Sequence, residues 1–274
     1  ESALRGNIAQ GDGVYKTTDG AKTWKHMGLT DTLTVSKIRV HPKNPDLVYV
    51  AALGHPAGPN VERGVFRSRD GGATWQKILF KDSKTGAVEL ILDPGNPETI
   101  YVSMWEAGRM SHGMSSGGPG SGIYKSTDAG ETWTKMGLAE TGRIGTIVIH
   151  PTNENIVLVC ALGRATGPQR ERGVYRSEDG GKTWQHTLFV DQNTGCSGLQ
   201  LSLQNPNIVI AGTWEIELKT HVLYSGGMGS GIGQYALYRA EDGSLTLFSL
   251  VIPAGAETPV HDHLAWGLIG VYRG

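Results

Sequence analysis

Two acidic residues in this chain occupy matching settings: Glu106 directly follows Trp105, and Glu215 directly follows Trp214. A carboxylate beside an indole plate suits a sugar. The plate stacks on the ring, and paired carboxylates could serve as acid and base across a glycosidic bond. Arg109 and His112 follow the first pair, His221 follows the second, and Arg63 and Arg172 lie upstream of each in a short Glu-Arg-Gly segment. A separate constellation stands near the other end. His261 and His263, two apart on a strand, would point the same way and could reach one metal ion. Plainer readings stand beside these. Trp105 and Trp214 end apolar runs and could be core plates, Arg63 and Arg172 could pair with Glu62 and Glu171, and two imidazoles alone leave a metal site open.

The spacing of these residues points to what positions them. Trp105 and Trp214 are 109 residues apart, as are Glu106 and Glu215, His112 and His221, Arg63 and Arg172, and the runs SGGPGSGI and SGGMGSGI. Inside that period lies a shorter phrase, read as TTDGAKTW, SRDGGATW, STDAGETW and SEDGGKTW, whose Asp residues are separated by 51, 58 and 51 positions. Each copy follows a strand-like run such as GVYK or GVFR and precedes another such as TWQKI, so each is a hairpin loop. Turn chemistry explains it. Asp and Ser or Thr oxygens accept from nearby backbone N–H groups, Gly takes a positive φ, and Trp supplies an apolar plate. Asp19, Trp24, Asp70, Trp75, Asp128, Trp133, Asp179 and Trp184 are therefore structural residues.

The phrase resembles the Asp-box, or BNR repeat, of sialidases, sortilin-type receptor domains and glycoside-hydrolase-like propellers. The resemblance implies an all-β propeller over residues 1–232, with its boxes on a rim away from any active centre. Periods of this length belong to repeat architectures. VSKIRVHP, LVYVAALG, GVFRSRD and TWQKILF write out four strands with period-two alternation, and whole blades occupy 35–80, 87–137 and 144–190. Residues 13–29 supply strands three and four of a further blade, and 198–214 supply strands one and two. If these halves pair, a fourth blade closes a ring; otherwise the chain is an open arc with edges available for self-association.

The repeat breaks near Gly233, where a fifth box would begin. AEDGSLTL could be a decayed copy, but it lacks both Trp and the second Gly. The tail beyond it resembles the first cupin motif, matched at Gly255, His261, His263 and Gly274 with Gly267 where Glu is usual, and inside PVHDHLAWGLIGVYRG it is similar to cysteine-dioxygenase-like thiol dioxygenases. That resemblance implies iron held by three His. Residues 233–274 contain two of them and about a third of a barrel, so the expectation is an incomplete, inactive segment and no cofactor, with iron only if the site were completed.

With 25 basic and 26 acidic side chains the net charge is −1, which gives no electrostatic case for nucleic acid. No apolar run approaches the length of a membrane span. The first residues, ESALRGNIAQGDG, do not read as a signal peptide. The propeller resembles secreted or periplasmic proteins and the cupin-like tail cytoplasmic enzymes, so location stays open. Cys160 and Cys196 stand where the repeat has Ala51 and Ala87, and are expected to be small buried apolar groups without a disulfide.

Strand direction sorts the loops. Boxes and strand one-to-two turns share one face, and the longer loops share the other, where binding residues concentrate. The reading is a binding or scaffold propeller for glycan or peptide. The alternatives are a BNR-type glycoside hydrolase, for which a sialidase arginine triad cannot be assembled, and a thiol dioxygenase carried by the tail. No catalytic residue is assigned.

Overall fold

The computed structural model describes residues 11–110, 113–165, 167–202, 204–215, 233–239 and 246–251. The chain enters on a two-stranded hairpin, β1 (Tyr15–Lys16) and β2 (Lys25–His26). The first whole blade then runs β3 (Val35–His41), β4 (Asn44–Ala52), β5 (Gly64–Ser68) and β6 (Gln76–Leu79), antiparallel in sequence order. The second is β7 (Thr85–Leu92), β8 (Ile100–Met110), β10 (Gly122–Ser126) and β11 (Thr134–Lys135), with β9 (Gly113–Ser116) folded back on the outer part of β8. The third is β12 (Arg143–His150), β13 (Asn153–Gly163), β14 (Gly173–Ser177) and β15 (Gln185–Leu188). A two-stranded sheet comes next, β16 (Thr194–Leu201) with β17 (Val209–Glu215). Last is the hairpin of β18 (Gly233–Arg239) and β19 (Thr246–Val251), which pair with each other.

These are the blades of a β-propeller, with limits within a few residues of those read from the alternation. The half-blades at the two ends do not pair: β1–β2 and β16–β17 are separate two-stranded sheets, so the described strands form an open arc rather than a four-bladed ring. Successive blades stack through β3, β7, β12 and β16, and a bulge recurs in each of these strands, between Val35 and Lys37, Ala87 and Glu89, Ile144 and Thr146, and Cys196 and Gly198. A bulge bends its strand and increases local twist, which innermost strands of a propeller need. Apolar side chains from facing blades fill the seams: Tyr49, Ala51 and Val65 meet Ala87, Leu90 and Val102, and one seam later Tyr101 and Ile123 meet Ile147, Val157 and Val159.

One position in the seam is closed in three ways. Between the first and second blades, Ala51 and Ala87 share an apolar cluster. Between the second and third, the Ser103 hydroxyl donates to the Ile144 carbonyl at 2.8 Å. Between the third blade and β16, Cys160 and Cys196 are joined by a disulfide, which corrects the expectation of two unpaired apolar cysteines. Alanine is sufficient at this position because the seam is already packed, so its presence in the first repeat says nothing against a cross-link in the second.

The boxes sit at the strand three-to-four turns, and each builds the same network. In the second of them Ser68 Oγ donates to Asp70 Oδ1 and accepts from the Gly72 N–H, while Asp70 accepts from the Thr74 N–H and hydroxyl at 2.8 and 2.6 Å. These donors hold Asp70 and Asp128 at a pKa of about 2, and pull Asp19 and Asp179 lower in the same way. The turn also forces the residue after Asp, and the next, to positive φ, and Ala21 (70°) and Ala129 (57°) occupy such positions where the other boxes have Gly.

The seams and boxes set three expected outcomes. A left-handed alanine costs about 1 kcal/mol, so Ala129→Gly should raise stability by roughly that amount in denaturant titration. Replacing both Cys160 and Cys196 by Ala, which the first repeat shows to be compatible with the seam, should lower stability by about 4 kcal/mol, because the bridge closes a 36-residue separation. The box carboxylates have folded pKa values below their unfolded 3.8, so their contribution is present above that pH and lost as pH falls through about 2. The melting temperature should therefore drop between pH 4 and pH 2, and less so in a chain with Asp70→Asn and Asp128→Asn.

Candidate functional site

Glu106 and Glu215 lie at the same end of their strands, opposite the boxes: Glu106 pairs with Thr85 and Glu215 with Thr194, whereas the box in the second blade leaves β10 where Ser126 pairs with Ile100. The equivalent strand-end positions in the first and third blades are Gly54 and Gly163. A Cβ at Gly54 would meet Arg63 Cγ at 2.6 Å, and one at Gly163 would meet Arg172 Nη1 at 2.5 Å. The two-blade period thus has a physical meaning. Odd blades carry a glycine that admits an arginine, and even blades carry the Trp-Glu pair.

Those arginines belong to the scaffold. Arg63 is buried and donates to the carbonyls of Lys84, Ala107, His55 and Gly58. Arg172 is buried likewise and donates to those of Gln192, Leu162, Arg164 and Gly167. Neither guanidinium reaches the surface, and each braces the loop of an odd blade to residues of the next even one. The Glu62 carboxylate lies 3.4 Å from the Lys77 ammonium.

Trp105 and Trp214 part company. Trp105 is buried, its Nε1 donates to Ser116 Oγ at 3.1 Å, and the Arg143 guanidinium stands 5.7 Å from its ring centre. It is a core plate. Trp214 is 44% exposed. Glu106 is half-buried: its N–H donates to Ser121 Oγ, its carbonyl accepts from Gly117 N–H, and its Oε2 accepts from Gly120 N–H at 3.1 Å. That carboxylate therefore seats the SGGPGSG loop. Glu215 is exposed at the end of β17, two blades from Glu106, and the two stand on either side of the third blade rather than on one bond.

The outer part of β8 extends with β9 as an arm across this face. It rests on the first blade through the Arg109 N–H, which donates to the Pro56 carbonyl at 2.7 Å, and on the third through Ser116 Oγ, which accepts from the Ala165 N–H at 2.9 Å. The Arg109 side chain is partly exposed there. His112, His221, His261 and His263 lie outside the described residues or among those whose side chains are not described. Among the described residues no three His, Cys, Asp or Glu side chains converge on a common point, and no helix is long and apolar enough to cross a membrane.

Sequence patterns missed one ionic cluster. Glu89 on β7 is buried, with the Lys37 ammonium at 2.9 Å and the Arg39 guanidinium at 3.2 Å, both from β3. Period-two alternation hides it because Glu89 occupies a position that the neighbouring blades fill with Lys37, Thr146 and Gly198.

Known proteins extend the picture. The family model described as Sortilin, neurotensin receptor 3, matches residues 63–207, just over half of the chain. A xyloglucanase of a Paenibacillus species is 28% identical over 230 residues, spanning 69% of this chain and 21% of that protein. A probable oligoxyloglucan-reducing end-specific xyloglucanase of Neosartorya fischeri is 36% identical over 96 residues, or 33% of this chain and 12% of its own length. An ancestral GH74 enzyme superposes with a TM-score of 0.57 at 21% identity over 75% of this chain and 25% of its own, a likeness of fold. The chain spans about a fifth of the Paenibacillus protein's length.

Truncating Arg63 should be structural in effect. Arg63→Ala leaves four carbonyls without a charged donor and should destabilise the chain by about 3 kcal/mol or more. Denaturant titration measures this, and a change in ligand affinity at unaltered stability would return Arg63 to the recognition surface.

Proposed function

The chain belongs to the Sortilin-Vps10 family, and from that premise we propose that it is a carbohydrate-binding propeller that takes up a xyloglucan-type chain on its loop face. Its relation to glycoside-hydrolase-like propellers is given by the xyloglucanases it resembles. The observation that carries the binding reading is the contrast within the repeat: Trp105 is enclosed, while Trp214 offers its plate beside the exposed Glu215. A flat sugar face stacks on an indole, and a neighbouring carboxylate accepts from ring hydroxyls. Arg109, on the arm over the same face, is the further polar candidate.

Hydrolysis is the second reading, favoured by the names of the relatives. Against it stands the division of labour between the two carboxylates. A glycosidase acid–base pair flanks one bond at about 5–10 Å, whereas Glu106 is engaged by backbone N–H groups of its own loop and Glu215 belongs to a different blade. The disulfide suits an oxidising compartment, where such bonds persist. Residues 233–274 are proposed to be a separate cupin-like segment without part in sugar recognition.

Calorimetric titration with a xyloglucan oligosaccharide is the direct test. The expected result is saturable binding that weakens about tenfold or more in Trp214→Ala, the scale for losing an aromatic anchor, with no release of reducing ends. Absence of binding at millimolar sugar would overturn the proposal, and release of reducing ends that disappears in Glu215→Gln would establish hydrolysis instead.

A further inference from the structure

Ten residues after each box Asp the chain has Leu29, Phe80, Leu138 and Phe189. The two leucines pack on the apolar clusters beside them. The phenylalanines, one in each of the first and third blades, are 45% and 46% exposed. Phe80 stands where the first blade meets the second, and both of those blades are complete, so its exposure belongs to the surface of the protein. It is part of a patch. The Lys77 ammonium on β6 lies 5.3 Å from its ring centre and donates to the carbonyl of Val61, which is 62% exposed. An apolar patch rimmed by charge is the mark of an interaction site.

The turn that follows Phe80 is braced from below. Asn60 N–H donates to the Ser83 carbonyl at 2.8 Å, and Arg63 donates to that of Lys84. The third blade repeats the brace, with Gln169 N–H and Arg172 both donating to the Gln192 carbonyl. What the two turns carry differs: Lys81 and Lys84 in the first stand where the third has Val190 and Asn193. The brace therefore does not require the lysines. Both are exposed, and the carboxylates beside them are engaged elsewhere, Asp82 by the Lys84 N–H at 2.8 Å and Glu62 by Lys77. A third lysine faces them across the seam. Lys135 on β11 donates to the Pro119 carbonyl and lies 5.8 Å from the ring centre of Tyr124, which shares an apolar cluster with Leu79. Burial lowers the Lys135 pKa, and the Lys81 charge lowers it further, so the two ammonium groups oppose each other.

We infer that this corner of the first blade binds an acidic saccharide, a chain of sugar rings bearing carboxylates. Phe80 gives the ring a stacking plate, and Lys81, Lys84 and Lys135 donate charge-assisted hydrogen bonds to the carboxylates. A braced turn holds the donors in place before the ligand arrives, which lowers the cost of ordering them. An acidic peptide fits less well. An extended peptide would use the open edge of β6 for main-chain hydrogen bonds, but β6 carries an extra residue, Ile78, between Lys77 and Leu79, and a lysine in the same strand. A bulge and a charge both blunt an edge against strand addition. The inference is independent of the xyloglucan reading, because it uses neither Trp214 nor Glu215.

Calorimetric titration of the full chain with an oligogalacturonate tests it. Saturable binding is expected, weakened by added salt and reduced about tenfold or more both in Phe80→Ala and in the double variant Lys81→Glu with Lys84→Glu. Phe80→Tyr, which keeps the plate, should bind as the parent does. Trp214→Ala should leave this affinity unchanged, and the Phe80 and lysine variants should leave xyloglucan binding unchanged, so failure of one reading is distinguishable from failure of the other. Denaturant titration should give every variant the stability of the parent, since the replaced side chains are exposed; if Phe80→Ala does not fold, the lysine variant and Phe80→Tyr carry the test. No binding at millimolar oligogalacturonate would overturn the inference. So would binding of poly-glutamate of equal charge with the same affinity, which would identify the ligand as an acidic peptide, or a loss in the lysine variant that Phe80→Ala does not share.

Discussion

Three successive seams among the described blades each depend on one carbonyl group. The box turn carries the peptide after Asp into a left-handed conformation, and the carbonyl so turned out accepts from the preceding blade: Gly71 from the Lys16 ammonium at 2.9 Å, Ala129 from Tyr49 and Arg67 at 3.1 and 2.8 Å, and Gly180 from Tyr101 and Lys125 at 2.9 and 3.2 Å. Lys16, Arg67 and Lys125 occupy the same position in successive repeats. Burial among these groups lowers the Lys125 pKa and raises that of Tyr101, which is the cost of bringing polar groups into the seam, and a charged donor to a buried carbonyl is among the stronger hydrogen bonds available to offset it. The hydrogen bonds that the Asp side chain accepts come from its own turn. It holds the turn that aims the carbonyl.

The indole of each box adds an apolar half to the same clasp. Trp75 Nε1 donates to the Met27 carbonyl at 2.6 Å and Trp184 Nε1 to that of Met136 at 2.7 Å, so both plates are tied to the blade before their own. Trp133 keeps its hydrogen bond local, to Gly130, and the box packs instead on Ile78. Trp24 is exposed because no described blade precedes it. A single phrase thus sets the hairpin, the packing plate and the link to the next unit, which explains why it recurs while the loops on the opposite face differ.

Much of this was legible from residues alone, and the exceptions have a common cause. Alternation and turn residues located the blades because those signals are local. The opposition of Glu106 and the boxes came from strand direction. The seam did not. Whether Cys160 finds Cys196 depends on which residue faces it from the next blade, and Ala51 with Ala87 satisfies the same contact without a bond. Arg63 and Arg172 carry no sequence mark of burial, since their partners are backbone carbonyls, which any residue supplies, and the enabling feature is an absent Cβ at Gly54 and Gly163. Glu89 escaped for the same reason: its partners Lys37 and Arg39 lie about fifty residues away on another blade.

The alternation of odd and even blades then gives the strand ends two different tasks. In an odd blade the strand end is given to an arginine that turns inward and fastens the loop to its neighbour. In an even blade the arginine is absent, and the strand end carries Trp and Glu under a glycine-rich loop. In the second blade these are drawn inward, Trp105 against Ser116 and Arg143, and Glu106 against Gly120, by an arm held between the first and third blades. The same residue types at Trp214 and Glu215 end β17, which pairs only with β16 among the described strands, and both are exposed. Two copies of one motif therefore differ in exposure according to what packs on them among the described residues, and not according to their own residue types.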